Sequence, residues 1–306
     1  MRFLFILFLV TIAFPLQAAP RQKERAPASQ FPPQEHFRLG LQAESDQKWG
    51  LAASHFLTIT EKYPQSTYAQ EAYFHQGRSL FAQGEYERAN SSLTLYLQQA
   101  GMPKNFEESI ELKYRIAEQF RKGAKTHLFG YQSMPKWQNG KDLALDIYDE
   151  VTVALPNHPL AANALYSKAM ILWNIKQYKE AVASLQKLIQ RFPKDDMAPV
   201  SYVCVANIYL DQATSELQNA DILAFSEINL KHFEEDFPRD ERISEVKEAL
   251  NGVKEMYAKG LFETGQFYEK VGKYKAAAFY YRKAISDFPE TGISDHCRKR
   301  LNEKWG

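Results

Sequence analysis

Apolar residues recur every three or four positions through most of the chain, and stretch after stretch ends on the same phrase: an aromatic or aliphatic residue, then proline, then a short polar turn. The phrase stands at Tyr63-Pro64, Leu155-Pro156, Phe192-Pro193, Phe237-Pro238 and Phe288-Pro289. Upstream of each lies a small residue with a large apolar one four positions later: Ala52 and Phe56, Ala144 and Tyr148, Ala181 and Leu185, Ser226 and Leu230, Ala277 and Tyr281. Four residues make about one helical turn, so both members of a pair share a face. The pattern predicts amphipathic helices in antiparallel pairs near 36–64, 68–100, 107–156, 160–193, 198–238 and 246–289, with a last helix from Ile293 to Trp305 capping the end.

The sixth unit states the pattern most fully, with Leu261, Thr264-Gly265, Tyr268, Gly272, Tyr274, Ala277, Tyr281, Ala284 and Pro289. This series resembles a tetratricopeptide (TPR) repeat. Such a repeat folds roughly 34 residues as two antiparallel helices, small residues where they cross, large ones filling the gap and a proline starting the next helix. The same register fits Leu165, Ala169, Leu172, Tyr178, Ala181, Leu185, Leu188 and Pro193. It also fits Tyr73, Gly77, Leu80, Gly84, Tyr86, Ala89 and Leu93, and more loosely Leu39, Gly40, Trp49, Ala52, Phe56, Ile59 and Pro64. The expected fold class is all-α, a TPR-type helical-hairpin solenoid of about six helix pairs plus a C-terminal capping helix, one domain over residues 36–306.

The N-terminus departs from this pattern. Arg2, an apolar run from Phe3 to Phe14, then Pro15 and Leu16-Gln17-Ala18-Ala19 have the three-part layout of a secretory signal peptide, expected over residues 1–18 with cleavage after Ala18 or Ala19. The alternative is an uncleaved anchor, but the run falls short of the roughly 20 residues a spanning helix needs. Residues 19–35, with Pro20, Pro27, Pro32 and Pro33, read as a flexible leader without helix. Two cysteines, Cys204 and Cys297, fall in different helical units and are expected as separate packed thiols. No cysteine stands near residues 15–20 to accept a lipid.

Charge and chemistry narrow the function. A formal net charge of +1 without a long basic run does not suit nucleic-acid capture. Seven histidines show no metal-ligand spacing and read as surface or capping residues. No phosphate-cradling glycine loop or nucleophile elbow is present, so no catalytic, metal or cofactor-binding residue is named and the chain reads as a non-enzyme. Two units are stretched: one by an insertion over Gly123–Gly140, the other by about two turns of extra link around Asp211–Ala220. Phe129, Tyr131 and Trp137 in the first insertion are candidate partner contacts, the alternative being aromatics tucked back on the helices.

The TPR resemblance implies that the first helix of each pair lines a concave binding surface. Its register places Phe37 and Leu41, then Phe74, Arg78 and Phe81, then Tyr166, Met170, Trp173 and Asn174, then Phe262 and Gln266 on that surface. Rings beside amide and guanidinium groups suit an extended peptide, with Arg78 expected to take a terminal carboxylate between Phe74 and Phe81. The alternative is that these side chains pack against neighbouring helices.

The stretch from Phe262 to Ala277, the run Asp287-Phe288-Pro289-Glu290-Thr291 and the turn Lys62-Tyr63-Pro64-Gln65-Ser66 with Tyr68, Ala69, Glu71 and Ala72 resemble the BamD-like family, lipoproteins of the outer-membrane β-barrel assembly machinery. The resemblance implies an exported periplasmic scaffold at the outer membrane, whose partners are the barrel-assembly component and unfolded outer-membrane protein segments. The chain departs from the family in lacking the lipid-accepting cysteine and in having six helical pairs against the usual five. A periplasmic TPR coordinator of the Tol–Pal envelope system is the alternative of the same kind, and a cell-wall enzyme on a helical solenoid the alternative of another class.

Overall fold

A computed structural model describes residues 31–99, 103–130, 133–216 and 219–305. The expected signal peptide and most of the leader lie outside the described residues. Two compact units divide the chain between Glu85 and Tyr86. The first holds α1 (Pro33–Ser45), α2 (Trp49–Lys62) and α3 (Ala69–Ala82). The second holds α4 (Tyr86–Leu97), α5 (Phe106–Arg121), β1 (Lys125–His127), β2 (Lys136–Asn139), α6 (Lys141–Ala154), α7 (Pro159–Asn174), α8 (Tyr178–Arg191), α9 (Met197–Ser215), α10 (Ala220–Asp236), α11 (Ile243–Lys270), α12 (Tyr274–Asp287) and α13 (Gly292–Trp305). The order of helices is that of a TPR-type helical solenoid with a terminal capping helix. Among the described residues no helix is long and apolar enough to cross a membrane.

The recurring phrase marks helix ends. Tyr63, Leu155, Phe192, Phe237 and Phe288 are the C-caps of α2, α6, α8, α10 and α12, each with φ between −126° and −136° and an extended-side ψ near 49–63°. A following proline crowds the α conformation of the residue before it, so each of these helices stops one residue short of the proline. The prolines therefore close the second helices; they do not start the next ones, as the repeat signature suggested. Pro33 and Pro159 do sit at helix starts, where a residue without an N–H costs nothing. In consequence α1 begins inside the stretch read as a non-helical leader.

The small-large pairs form the core. Ala52, Phe56, Ala144, Tyr148, Ala181, Leu185, Ala277 and Tyr281 are fully buried, and Ser226 nearly so, while Leu230 is half-buried. Crossings this close leave no room for a side chain. A Cβ on Gly40 would stand 2.7 Å from the Phe56 ring, and one on Gly265 2.5 Å from Tyr281.

The stretched units use their extra residues differently. Part of the Gly123–Gly140 insertion folds as an antiparallel pair, Lys125 opposite Asn139 and Thr126 opposite Gln138, with a register shift before His127. The extra turns around Asp211 continue α9 to Ser215 instead of forming a long link, and Ala213 extends the buried face of Val205, Ile208 and Tyr209 into them. Helix α11 is 28 residues long. Val246 and Ala249 on its first half pack with Tyr202 and Phe233 of α9 and α10, while Leu261 and Phe262 on its second half pack against Ala277 and Tyr281 of α12.

Candidate peptide-binding surfaces

On α3, Phe74 is 1 % exposed and so belongs to the core, which removes it from the expected groove. Arg78 lies over its ring, 5.6 Å from the centroid. The guanidinium does meet a carboxylate, but an internal one: Arg78 Nη2 donates to Glu44 Oε2 at 2.5 Å. Glu44 comes from α1 and is also reached by His75 Nδ1 at 2.8 Å and Ser79 Oγ at 2.9 Å. Burial alone would raise the Glu44 carboxyl, but the hydrogen bonds and charges of His75 and Arg78 outweigh it and hold it below its ordinary 4.5. Phe81 is half-buried. Within this set Phe74 is thus core and Arg78 is engaged by Glu44 of α1, as in the packing alternative. Phe37 likewise packs on Phe56 and Tyr68, while Leu41 is exposed.

On α7, Tyr166, Met170 and Trp173 are partly buried against the cluster that holds Val205 and Ile208 of α9. The Trp173 indole donates to Asp211 Oδ2 at 3.0 Å, and Asn174 Oδ1 accepts from Lys141 Nζ at 2.5 Å. Tyr166 has its hydroxyl 3.7 Å from Cys204 Sγ, and burial pushes that hydroxyl up to about 12. Phe262 packs against Tyr281, and Gln266 is half-buried. Phe37, Tyr166, Met170, Trp173 and Phe262 thus touch neighbouring helices, while Leu41 and Asn174 are exposed.

The β-hairpin is fastened to α4. Glu87 Oε2 accepts from the His127 backbone N–H at 2.9 Å and also meets His127 Nδ1. From this base Trp137 projects with 74 % of its surface exposed. Tyr131 and the side chain of Phe129 lie outside the described residues. The histidines divide: His36, His55 and His127 are buried, against expectation, whereas His232 and His296 are exposed and His158 caps α7, accepting from the Leu160 backbone N–H at 3.1 Å.

A groove with none of the residues expected at a binding surface runs between α8 and α10 over α9, with a volume near 420 Å³. Ile189, Tyr202 and Tyr209 form its buried floor, Gln186 and Gln190 one wall, and Phe225, Ile228 and His232 the other. Phe225 stacks on Tyr209 with centroids 6.2 Å apart, yet Phe225 is 51 % exposed and Ile228 48 %. Tyr202 donates to Asp236 Oδ2 at 2.6 Å and Asn229 Nδ2 donates to the Tyr202 carbonyl at 3.1 Å, which fixes floor and wall. The signal for this groove was present in α10. Ile222, Ser226, Asn229 and Phe233 make its buried stripe, so Phe225 and Ile228 are apolar residues on a second face, more than a one-sided helix needs.

Tetratricopeptide repeat family models match residues 71–100 and 163–195, and another matches 258–286. The chain is thus a TPR-type helical solenoid, and its repeats indicate protein–protein interaction. No curated protein matches it. Similar solved structures include a tetratricopeptide repeat protein from Parabacteroides merdae, 15 % identical over 87 % of this chain and 97 % of that one with a TM-score of 0.37. MamA from Desulfovibrio magneticus RS-1 is 13 % identical over 71 % and 96 %, with a TM-score of 0.37. PilW, described as a widely conserved type IV pilus biogenesis factor, is 13 % identical over 86 % and 97 %, with a TM-score of 0.29. Likeness at this level carries no functional argument.

Proposed function

We propose that this chain is an exported, non-enzymatic scaffold that holds an extended, partly apolar protein segment, and that it serves outer-membrane β-barrel assembly in the periplasm. The observation that carries the binding role is the α8–α10 groove, where exposed Phe225 and Ile228 face the carboxamides of Gln186 and Gln190 across a floor of Tyr202 and Tyr209. Apolar walls take up alternate side chains of a strand-like peptide, and carboxamides both donate to and accept from its backbone. The terminal strand of an unfolded outer-membrane protein is such a segment. The cellular setting is supported by the secretory layout of residues 1–18 and by the BamD-like likeness of residues 262–291.

Titration of a labelled peptide copying the C-terminal strand of an outer-membrane β-barrel protein tests the binding role. The parent should bind, and Phe225→Ser combined with Ile228→Ser should weaken binding at least tenfold, since burying each side chain is worth roughly 1.5–3 kcal/mol. Equal affinities would remove the groove as the site. Purification from envelope extract tests the setting, with co-elution of the barrel-assembly component as the expected result.

A further inference from the structure

The last hairpin, α11 and α12, ends in a tip that joins apolar exposure with uncompensated positive charge. Phe267, Val271, Tyr274 and Phe279 are between 51 % and 60 % exposed. Four rings form a row across the two helices. Phe267 meets Tyr268 edge-on at 5.6 Å, Tyr268 stacks on Tyr280 at 5.4 Å, and Phe279 meets Tyr280 edge-on at 5.4 Å. Gly272, with φ of +75°, makes the tight turn between the helices. At 1.5 Å per residue, all four exposed side chains start within roughly 11 Å of that turn along the helix axes.

Around them stand Lys270, Lys273 and Lys275, all exposed. The carboxylates on the tip-side half of α11 and on α12 already have cations: Glu269 has Arg300 at 2.8 Å and Lys304 at 3.4 Å, Glu263 has Lys259 at 4.0 Å, and Asp287 has Lys283 at 3.2 Å. None of the ion pairs among the described residues engages the three lysines of the tip. We propose that this tip docks on the anionic surface of a lipid bilayer, Phe267, Val271, Tyr274 and Phe279 entering the headgroup boundary while the lysines meet lipid phosphates. The rings reach a depth of the order of 5–10 Å, which is where amphipathic surface elements settle. Lysines at such a surface each contribute about fivefold to partitioning. A bilayer suits this site better than a protein groove because the apolar groups lie end-on, spread over both helices and the turn, where a deformable plane can meet them together. The assignment is independent of the peptide groove on α8 and α10.

Cosedimentation of the full chain with vesicles tests it. The protein should pellet with phosphatidylethanolamine vesicles containing phosphatidylglycerol, less so with phosphatidylethanolamine alone, and high salt should release it. Two variants, Lys270→Glu/Lys273→Glu/Lys275→Glu and Phe267→Ser/Phe279→Ser, should each lower the association by roughly tenfold or more with unchanged helicity and melting, because every substituted side chain is exposed. No association with anionic vesicles overturns the proposal, as does association that both variants leave intact. Tighter binding to an acidic amphipathic peptide than to the vesicles would also overturn it, reassigning the tip to a protein partner.

Discussion

Glu44 shows how a few side chains decide whether a helix face is a surface or a seam. Its side chain is 5 % exposed and gathers Arg78, His75 and Ser79, so a guanidinium that looks available in the sequence is occupied by its own chain. Glu44→Ala should destabilise the protein by roughly 1–3 kcal/mol in urea unfolding, the cost of leaving its buried donors without their acceptor. Arg78→Ala should cost less, because that side chain is 38 % exposed. The folded-state carboxyl of Glu44 lies below 4.5, so its contribution is complete above that pH and fades as pH falls through the lower folded value. A second residue-scale expectation concerns the crossing of α11 and α12. Ala277 is fully buried beside Tyr281, and Ala277→Leu should overpack that crossing by roughly 1–3 kcal/mol in thermal unfolding. Gly265→Ala should act in the same direction, since Tyr281 is itself fully buried and cannot withdraw from the added Cβ.

At the scale of elements, insertions are free to extend a helix, fold on themselves or project, and the chain does all three. Helix α9 takes up its extra residues as helix, while the insertion after α5 forms a hairpin whose base is closed by Gly140. A Cβ there would stand 2.3 Å from the Phe120 ring, so the strand returns against α5 only because this residue has no side chain. The hairpin's tether to α4 is the Glu87 carboxylate, which holds the His127 N–H. Glu87→Ala should therefore raise amide exchange over residues 125–127 and 136–139 while leaving α8 and α9 protected, as expected when a local contact is lost and the core is not. Uniform change across all helices would show that the tether supports the unit as a whole.

At the scale of the molecule, the two compact units should answer acid differently. In the first unit His36 and His55 are buried with their Nδ1 atoms 2.9 Å apart, and His36 Nε2 has no hydrogen-bond partner. Burial lowers both imidazoles below their ordinary 6.5; Lys62 lowers His36 further and Glu35 opposes it, while His36 lowers His55 further. A lowered folded value means that the unfolded chain takes up protons first, so this unit loses stability as pH falls below about 6.5 until the folded rings also protonate. Protection of the α1 and α2 amides, taken relative to the slower intrinsic exchange at lower pH, should fall between neutral pH and pH near 5.5 before that of α7 to α9 does. A simultaneous response would mean that the imidazoles do not control it.

The existence, order and approximate limits of the helices were legible in the chain, because helical periodicity and pre-proline stops act through neighbours close in sequence. The small-large pairs were legible for the same reason, being two positions on one turn. Which faces stay open was decided only by the tertiary structure. Phe74 and Phe225 are both phenylalanines in amphipathic helices, yet one is 1 % exposed and the other 51 %. The difference lies in whether another helix arrives to cover the ring. Arg78 was readable as a carboxylate binder, but its carboxylate is 34 residues away in sequence on α1, and no local pattern announces a partner at that separation. Burial and long-range pairing are properties of helices brought together, so the repeat could be read from the sequence while the location of its surface could not.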